Sequence, residues 1–213
     1  MFDILGEAAL LLLATLGTWL AVRAWRAQGR VARWAGLLLS SLVALLCTVA
    51  MGVTLVGFYR INFPPYRHAV PATKVTGTPD QIARGARFGA FCAQCQSPDG
   101  KVPLVGRNFG EGGPPFGTIW APNLTPAGEI ERWSDGDVIR AIREGVHQSS
   151  RALVIMPSEV FRHLSDADVE AIVAYLRSQP AEGTSTPRNQ VNVLAAFLLG
   201  AGVFHHQCAA AHR

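Results

Sequence analysis

The chain has 213 residues, 49 % of them hydrophobic and only 16 % charged. Soluble domains usually carry about 25 % charge, so this balance excludes an ordinary cytosolic globule, and the apolar content excludes a disordered chain. The net charge of +4 is local: Arg23, Arg26, Arg30 and Arg33 lie within eleven residues, while residues 60–190 hold 14 Lys/Arg against 13 Asp/Glu, which leaves no basic face for nucleic acid.

Two apolar runs open the chain. Ile4 to Val22 holds one charge, Glu7, near its outer end, and Trp34 to Tyr59 holds none over 26 residues. A helix needs about 20 apolar residues to cross a bilayer core. Residues 1–60 are therefore expected to form a two-helix transmembrane hairpin. Basic loops stay in the cytoplasm, which puts Arg23–Arg33 inside and everything after Arg60 on the periplasmic or outer face of the cell (inner) membrane. No Lys or Arg precedes Arg23, so the first run lacks the basic start of a cleaved signal peptide. Cys47 and Met51 read as packing residues of the second helix.

Residues 61–77 form a proline-rich linker, expected to be an extended stalk with His68 exposed. Helical punctuation then begins. Thr78, Pro79 and Asp80 suit a helix start, and the helix is expected to run to about Phe91. A second helix is expected from Ser134, with Asp135 and Asp137 in its first turn and Gly145 near its end. A third is expected from Ser165, with Asp168 at capping-box spacing, stopping near Ser178 before Pro180. Between the first two lies a long Gly- and Pro-rich loop, about residues 96–133, with no convincing strand alternation. Loops of this length usually wrap something functional or are disordered. Three helices give a thin core, and thin cores often need a staple or a cofactor.

Cys92-Ala93-Gln94-Cys95 closes the first of these helices. Two thiols at this spacing can reach one small target: a disulfide, a metal, or the two vinyl groups of a haem. The haem-attachment signature is C-x-x-C-H, and position 96 is glutamine. A thioredoxin-like site needs a preceding strand and a βαβ frame, which are missing here. A zinc site needs two further ligands, and the other cysteines lie in the second apolar run and in the tail.

Arg84-Gly85-Ala86-Arg87-Phe88 resembles the N-terminal helix of class I c-type cytochromes. Ala121-Pro122-Asn123-Leu124-Thr125-Pro126, followed by Trp133-Ser134-Asp135, resembles the haem-edge loop of dehydrogenase-linked membrane cytochromes c. Arg143-Glu144-Gly145-Val146 and Ile155-Met156-Pro157 resemble that family's approach to its methionine ligand. Phe161 to Asp166 and Ala171 to Arg177 resemble its C-terminal helix. The resemblance covers about residues 78–180, in the family's order.

It implies an all-α, cytochrome c-like helical domain with long loops, carrying haem c bound covalently through Cys92 and Cys95. Met156 would be an iron ligand, and Asn123 and Trp133 would contact the haem. A sulfur ligand raises the reduction potential. The departure at Gln96 leaves the fifth iron position to a water or to another histidine, His147 or His163, both expected away from the cysteine side. It also leaves open a haem-free domain with a Cys92–Cys95 disulfide, serving as an anchoring subunit of a larger membrane complex, or a sequence assignment in need of revision at position 96.

Within residues 181–213, the stretch Val191 to Phe204 is apolar but too short to span. It is expected to lie on the bilayer or dock on a partner. His205, His206, Cys208 and His212 read as a loose polar terminus. The expected function is single-electron transfer, as a subunit rather than an independent catalyst. Electrons would pass from a membrane donor complex to a soluble electron carrier, a terminal oxidase or a photosynthetic reaction centre.

Overall fold

The computed structural model describes residues 4–26, 29–63, 69–111 and 116–203. The side chain of Glu7, together with His68, the loop residues 112–115, and His205, His206, Cys208 and His212, lie outside the described residues. The fold is mostly helical. Its helices are α1 (Ile4–Trp25), α2 (Arg30–Asn62), α3 (Pro79–Gln96), α4 (Asp135–Glu144), α5 (Ser158–Phe161), α6 (Asp166–Ser178) and α7 (Val193–Gly200). The chain divides into two compact units. One holds the chain up to Phe58 together with the segment from Val191, and the other runs from Tyr59 to Gln190.

In the first unit, α1 and α2 approach through small residues. A Cβ on Gly17 would lie 3.3 Å from that of Ala44, and one on Gly36 would lie 2.8 Å from that of Ala24. The pairs run in opposite order along the two helices, so the helices are antiparallel. Close backbone approach at Gly and Ala is how apolar helices associate without a hydrophobic drive between them. Among the described residues, α2 alone is long and apolar enough to cross a membrane, whereas the apolar part of α1, Leu11–Trp25, is shorter. Of the expected two-span hairpin, the described residues give one helix of spanning length and an apolar companion helix.

In the second unit, α3 and α6 form the principal helix pair, and α4 and α5 pack beside them. The caps follow the sequence. Thr78 accepts from the Gln81 backbone and Gln81 reaches back to Thr78, while Ser134 and Asp137 do the same for α4. Ser165 accepts from the Asp168 backbone at the start of α6. Gly145 ends α4 at φ +65°, a conformation that costs glycine little. α3 runs on to Gln96 rather than stopping near Phe91, because nothing from Phe91 to Gln96 breaks a helix.

Gly85 and Gly89 set the crossing of α3 on α6. A Cβ on Gly85 would lie 1.9 Å from the Ala171 carbonyl oxygen, and one on Gly89 would lie 2.7 Å from the Tyr175 hydroxyl. The core built on this crossing includes Leu104, Ile130, Trp133, Ile142, Phe161, Val169 and Val173.

The long loop holds only short regular pieces. Arg107–Asn108 pairs antiparallel with Trp120–Ala121, and Glu129–Arg132 forms a 3-10 turn. Arg177 fastens that turn to α6: its guanidinium donates to the Ile130 and Trp133 carbonyls and pairs with Asp135. The linker from Ala69 has no regular secondary structure but is tied to the domain. The Val75 amide donates to Asp135 at 2.9 Å, and Gly136 sits against the Pro71 carbonyl.

Candidate functional site

Cys92 and Cys95 lie three residues apart on α3 and so share a side of the helix. Both are free thiols, and both line a cavity of about 360 Å³, within the ~300–1,000 Å³ typical of small-molecule pockets. Gln96, Trp133 and Met156 line the same cavity. The sequence separates the thiols from Met156 by a long loop and α4, and the fold brings them to one cavity.

Met156 is placed by a return of the chain after Gly145. Val146 pairs with Ala152 in an antiparallel bridge, the Met156 amide donates to the Leu153 carbonyl at 3.3 Å, and its carbonyl accepts from Ser158 at 2.8 Å. Phe91 of α3 and Phe161 of α5 meet edge to face at 5.3 Å, and both also line the cavity.

Asn123 does not line it. Its side-chain amide donates to the carbonyls of Glu182 and Thr184, at 2.8 and 3.1 Å, and its oxygen accepts from Thr125. The residue is 1 % exposed. Its amide nitrogen is thus committed to the 182–184 backbone and its oxygen to Thr125.

His147, contrary to the expectation that it lies away from the cysteines, lines the cavity. Its Nε2 pairs with Glu129 at 3.0 Å, its Nδ1 with Ser149 at 2.8 Å, and its ring meets Trp133 edge-on at 4.7 Å. Both ring nitrogens are thus engaged. His163 is exposed and lies off the cavity. The segment 186–189, placed in the tail by sequence, also lines the cavity. Asn189 draws it in by accepting from the Trp120 amide at 2.7 Å.

The cavity has distinct chemical walls. Ile130, Val138, Ile142, Leu153, Ile172 and Leu176 are apolar. Arg151, Arg188, Glu129 and the Trp120 indole bring polar groups. The Trp120 Nε1 is buried and has no hydrogen-bond partner, an unusual cost for a native structure. Burial pushes the Cys92 thiol up to about 11, with Cys95 adding to the shift and a backbone hydrogen bond opposing it. Cys92 is therefore a neutral thiol near pH 7. Burial lowers Arg151, against the opposing pull of Glu129, and Arg188 lowers it further.

Burial alone would raise Glu129, but the hydrogen bond and charge of His147, with the charge of Arg151, hold it below its ordinary 4.5. The unfolded chain takes up this proton first, so Glu129 contributes its stability fully above about pH 4.5 and loses it as pH falls through the lower folded value. Glu129→Gln should therefore flatten the fall of the unfolding midpoint between about pH 5 and 3. An unchanged slope would show that the pairing with His147 adds nothing.

The walls offer what a haem-type group would use: an apolar slot, two thiols side by side, a thioether sulfur, and cationic or N–H groups for its carboxylates, the unpartnered Trp120 N–H among them. No cluster of three or more His, Cys, Asp or Glu side chains is placed to hold a bare metal ion among the described residues.

No protein-family model matches the chain. It is 38 % identical over 115 residues, 52 % of its length, to a nicotinate dehydrogenase subunit of Pseudomonas putida. It is 34 % identical over 101 residues, 45 % of its length, to the fructose dehydrogenase cytochrome subunit of Gluconobacter japonicus. It is 27 % identical over 179 residues, 73 % of its length, to the cytochrome c subunit of the quinone alcohol dehydrogenase of Gluconobacter oxydans. The matches span 10 %, 21 % and 37 % of those proteins. The chain is similar, over part of their length, to cytochrome subunits of dehydrogenases.

Proposed function

We propose that this chain is a membrane-anchored c-type cytochrome subunit that passes single electrons from a dehydrogenase partner to an acceptor. One observation carries the reading. Cys92, Cys95 and Met156, brought together from distant parts of the sequence, line one largely apolar cavity. The names of two relatives, a fructose dehydrogenase cytochrome subunit and an alcohol dehydrogenase cytochrome c subunit, support the assignment to a dehydrogenase complex.

In this reading Cys92 and Cys95 hold haem c through thioether bonds, and Met156 supplies a sulfur ligand. Trp133 forms part of the wall, and Asn123 steadies the backbone at 182–184, just before the lining segment 186–189. Trp120 Nε1, Arg151 and Arg188 receive the carboxylates. The bound group supplies a reversible one-electron couple. The chain's own work is to exclude water with its apolar walls and to keep the sulfur donor in place. α2 anchors the chain, with the domain after Arg60 on the periplasmic face and the basic Arg23–Arg33 loop inside. Tethering keeps donor and acceptor at high effective concentration.

Gln96 favours a second reading: a haem-free anchoring subunit, since an amide oxygen is a weak ligand for iron. The intact mass of the purified chain separates the two. Electron transfer requires the mass of one covalent porphyrin, together with a Soret band. A bare chain mass, two hydrogens light through a Cys92–Cys95 disulfide, would establish the scaffold. If the porphyrin is present, Gln96→His should produce a His/Met spectrum distinct from wild type. An identical spectrum would mean that a histidine already holds the iron.

A further inference from the structure

The C-terminal apolar segment is too short to span a bilayer, yet it does not stand alone. α7 packs on α2 at backbone distance. A Cβ on Gly57 would lie 1.8 Å from the Ala196 carbonyl oxygen, and one on Gly200 would lie 1.9 Å from the Val53 carbonyl oxygen. Position 196 thus meets 57 and position 200 meets 53, so α7 runs antiparallel to α2. Ala195, Ala196 and Leu199 are buried, whereas Leu194 and Val203 are 45 % and 62 % exposed.

The contact has a definite depth. Arg60 is the first charge after the apolar run of α2. At 1.5 Å per residue, Gly57 lies about 4.5 Å and Val53 about 10 Å inward of it along the helix. That is the depth, roughly 5–10 Å below the surface, at which interfacial helices settle. No charged residue occurs from Asn189 to Phe204. Asn192 caps the start of α7 by accepting from Ala195. Its end closes with Gly202 at φ +76°, the Gly202 amide donating to Leu199 and the Val203 amide to Leu198. These bonds answer the Ala195 amide at the start and the Leu198 and Leu199 carbonyls at the end within the segment, which lowers the cost of placing those groups in lipid. Leu46, Leu55 and Val56 of α2 are likewise exposed apolar side chains.

We propose that α7 is a second membrane element. It re-enters the outer leaflet alongside α2, with Leu194 and Val203 in contact with lipid acyl chains. This rests on α2 being the span, so the test reports on both. A fluorophore that is sensitive to polarity would be attached at Leu194→Cys, Leu46→Cys or Ala167→Cys. The background is the full chain with Cys47→Ser and Cys208→Ser, reconstituted in phosphatidylcholine vesicles, with the unsubstituted background as the blank.

Leu46 reports α2, and Ala167, exposed on α6, reports the water-exposed domain. The expected result is that acyl-chain spin-labelled lipid quenches the probe at 194 several-fold more than at 167, and that iodide does the reverse. Quenching by lipid at 46 but by iodide at 194 would overturn the proposal while leaving the anchor intact. Absence of lipid quenching at 46 would overturn the anchor itself. A probe at 194 shielded from both quenchers would mean that protein covers α7, which also overturns the proposal. Val203→Cys, a second exposed position, repeats the measurement should labelling at 194 disturb the chain.

Discussion

Met156→Ala should lower the reduction potential of the haem-loaded chain by on the order of 100 mV or more, within the roughly 0.8 V that axial ligands command. The substitution removes the only sulfur donor among the described lining residues outside the Cys92–Cys95 pair. Thioether ligation favours the reduced state relative to nitrogen or water. The spectrum should shift to that of an open or water-ligated site, and added imidazole should bind where it did not before. The fold should survive, because Met156 is only partly buried at the margin of the core. Potentiometric titration of wild type and variant decides the matter, and an unchanged potential and spectrum would remove Met156 from the iron.

Gly85→Ala should destabilise the domain by about 3 kcal/mol, at the upper end of overpacking costs. The added methyl would stand 1.9 Å from the Ala171 carbonyl oxygen and 2.7 Å from the Tyr175 Cβ. These are backbone and near-backbone atoms of α6, so no side-chain rotation relieves the clash and the helices must part. Helix propensity opposes this by only about 1 kcal/mol, since alanine is the better helix former. Near-ultraviolet circular dichroism during thermal unfolding measures the loss. Gly52→Ala, where a Cβ meets nothing within 4 Å, is the control and should leave the transition unchanged or slightly raised.

The helices were legible where polar caps announce them. Thr78, Ser134 and Ser165 each have a partner three residues on, and each opens a helix. The end of α3 was less legible, because the stretch from Phe91 to Gln96 has neither glycine nor proline. The thiols, Gln96, Trp133 and Met156 could be drawn from motif and order, and they converge on one cavity. His147 could not be placed by order alone. It is carried to the cavity by the reversal that begins at Gly145 and is pinned by the Val146–Ala152 bridge. A helix-ending glycine twelve residues before Pro157 was the signal that this stretch doubles back.

The strap at 182–189 left no apolar signature, since it is held by hydrogen bonds from Asn123, Thr125 and Trp120 to residues that read as loop. The seat of α7 was equally hidden. It depends on two glycines in separate apolar segments meeting across the fold.

Gly85, Gly89, Cys92 and Gln96 follow one stripe of α3, at intervals of four, three and four residues. The stripe begins in backbone contact with α6 and runs through Cys92 to Gln96. A group held by the thiols would thus be mounted on a helix seated directly against α6. On the proposed electron-carrier reading, a mount with so little slack would restrict nuclear rearrangement when charge arrives or departs, and so would keep the reorganisation energy of electron exchange small.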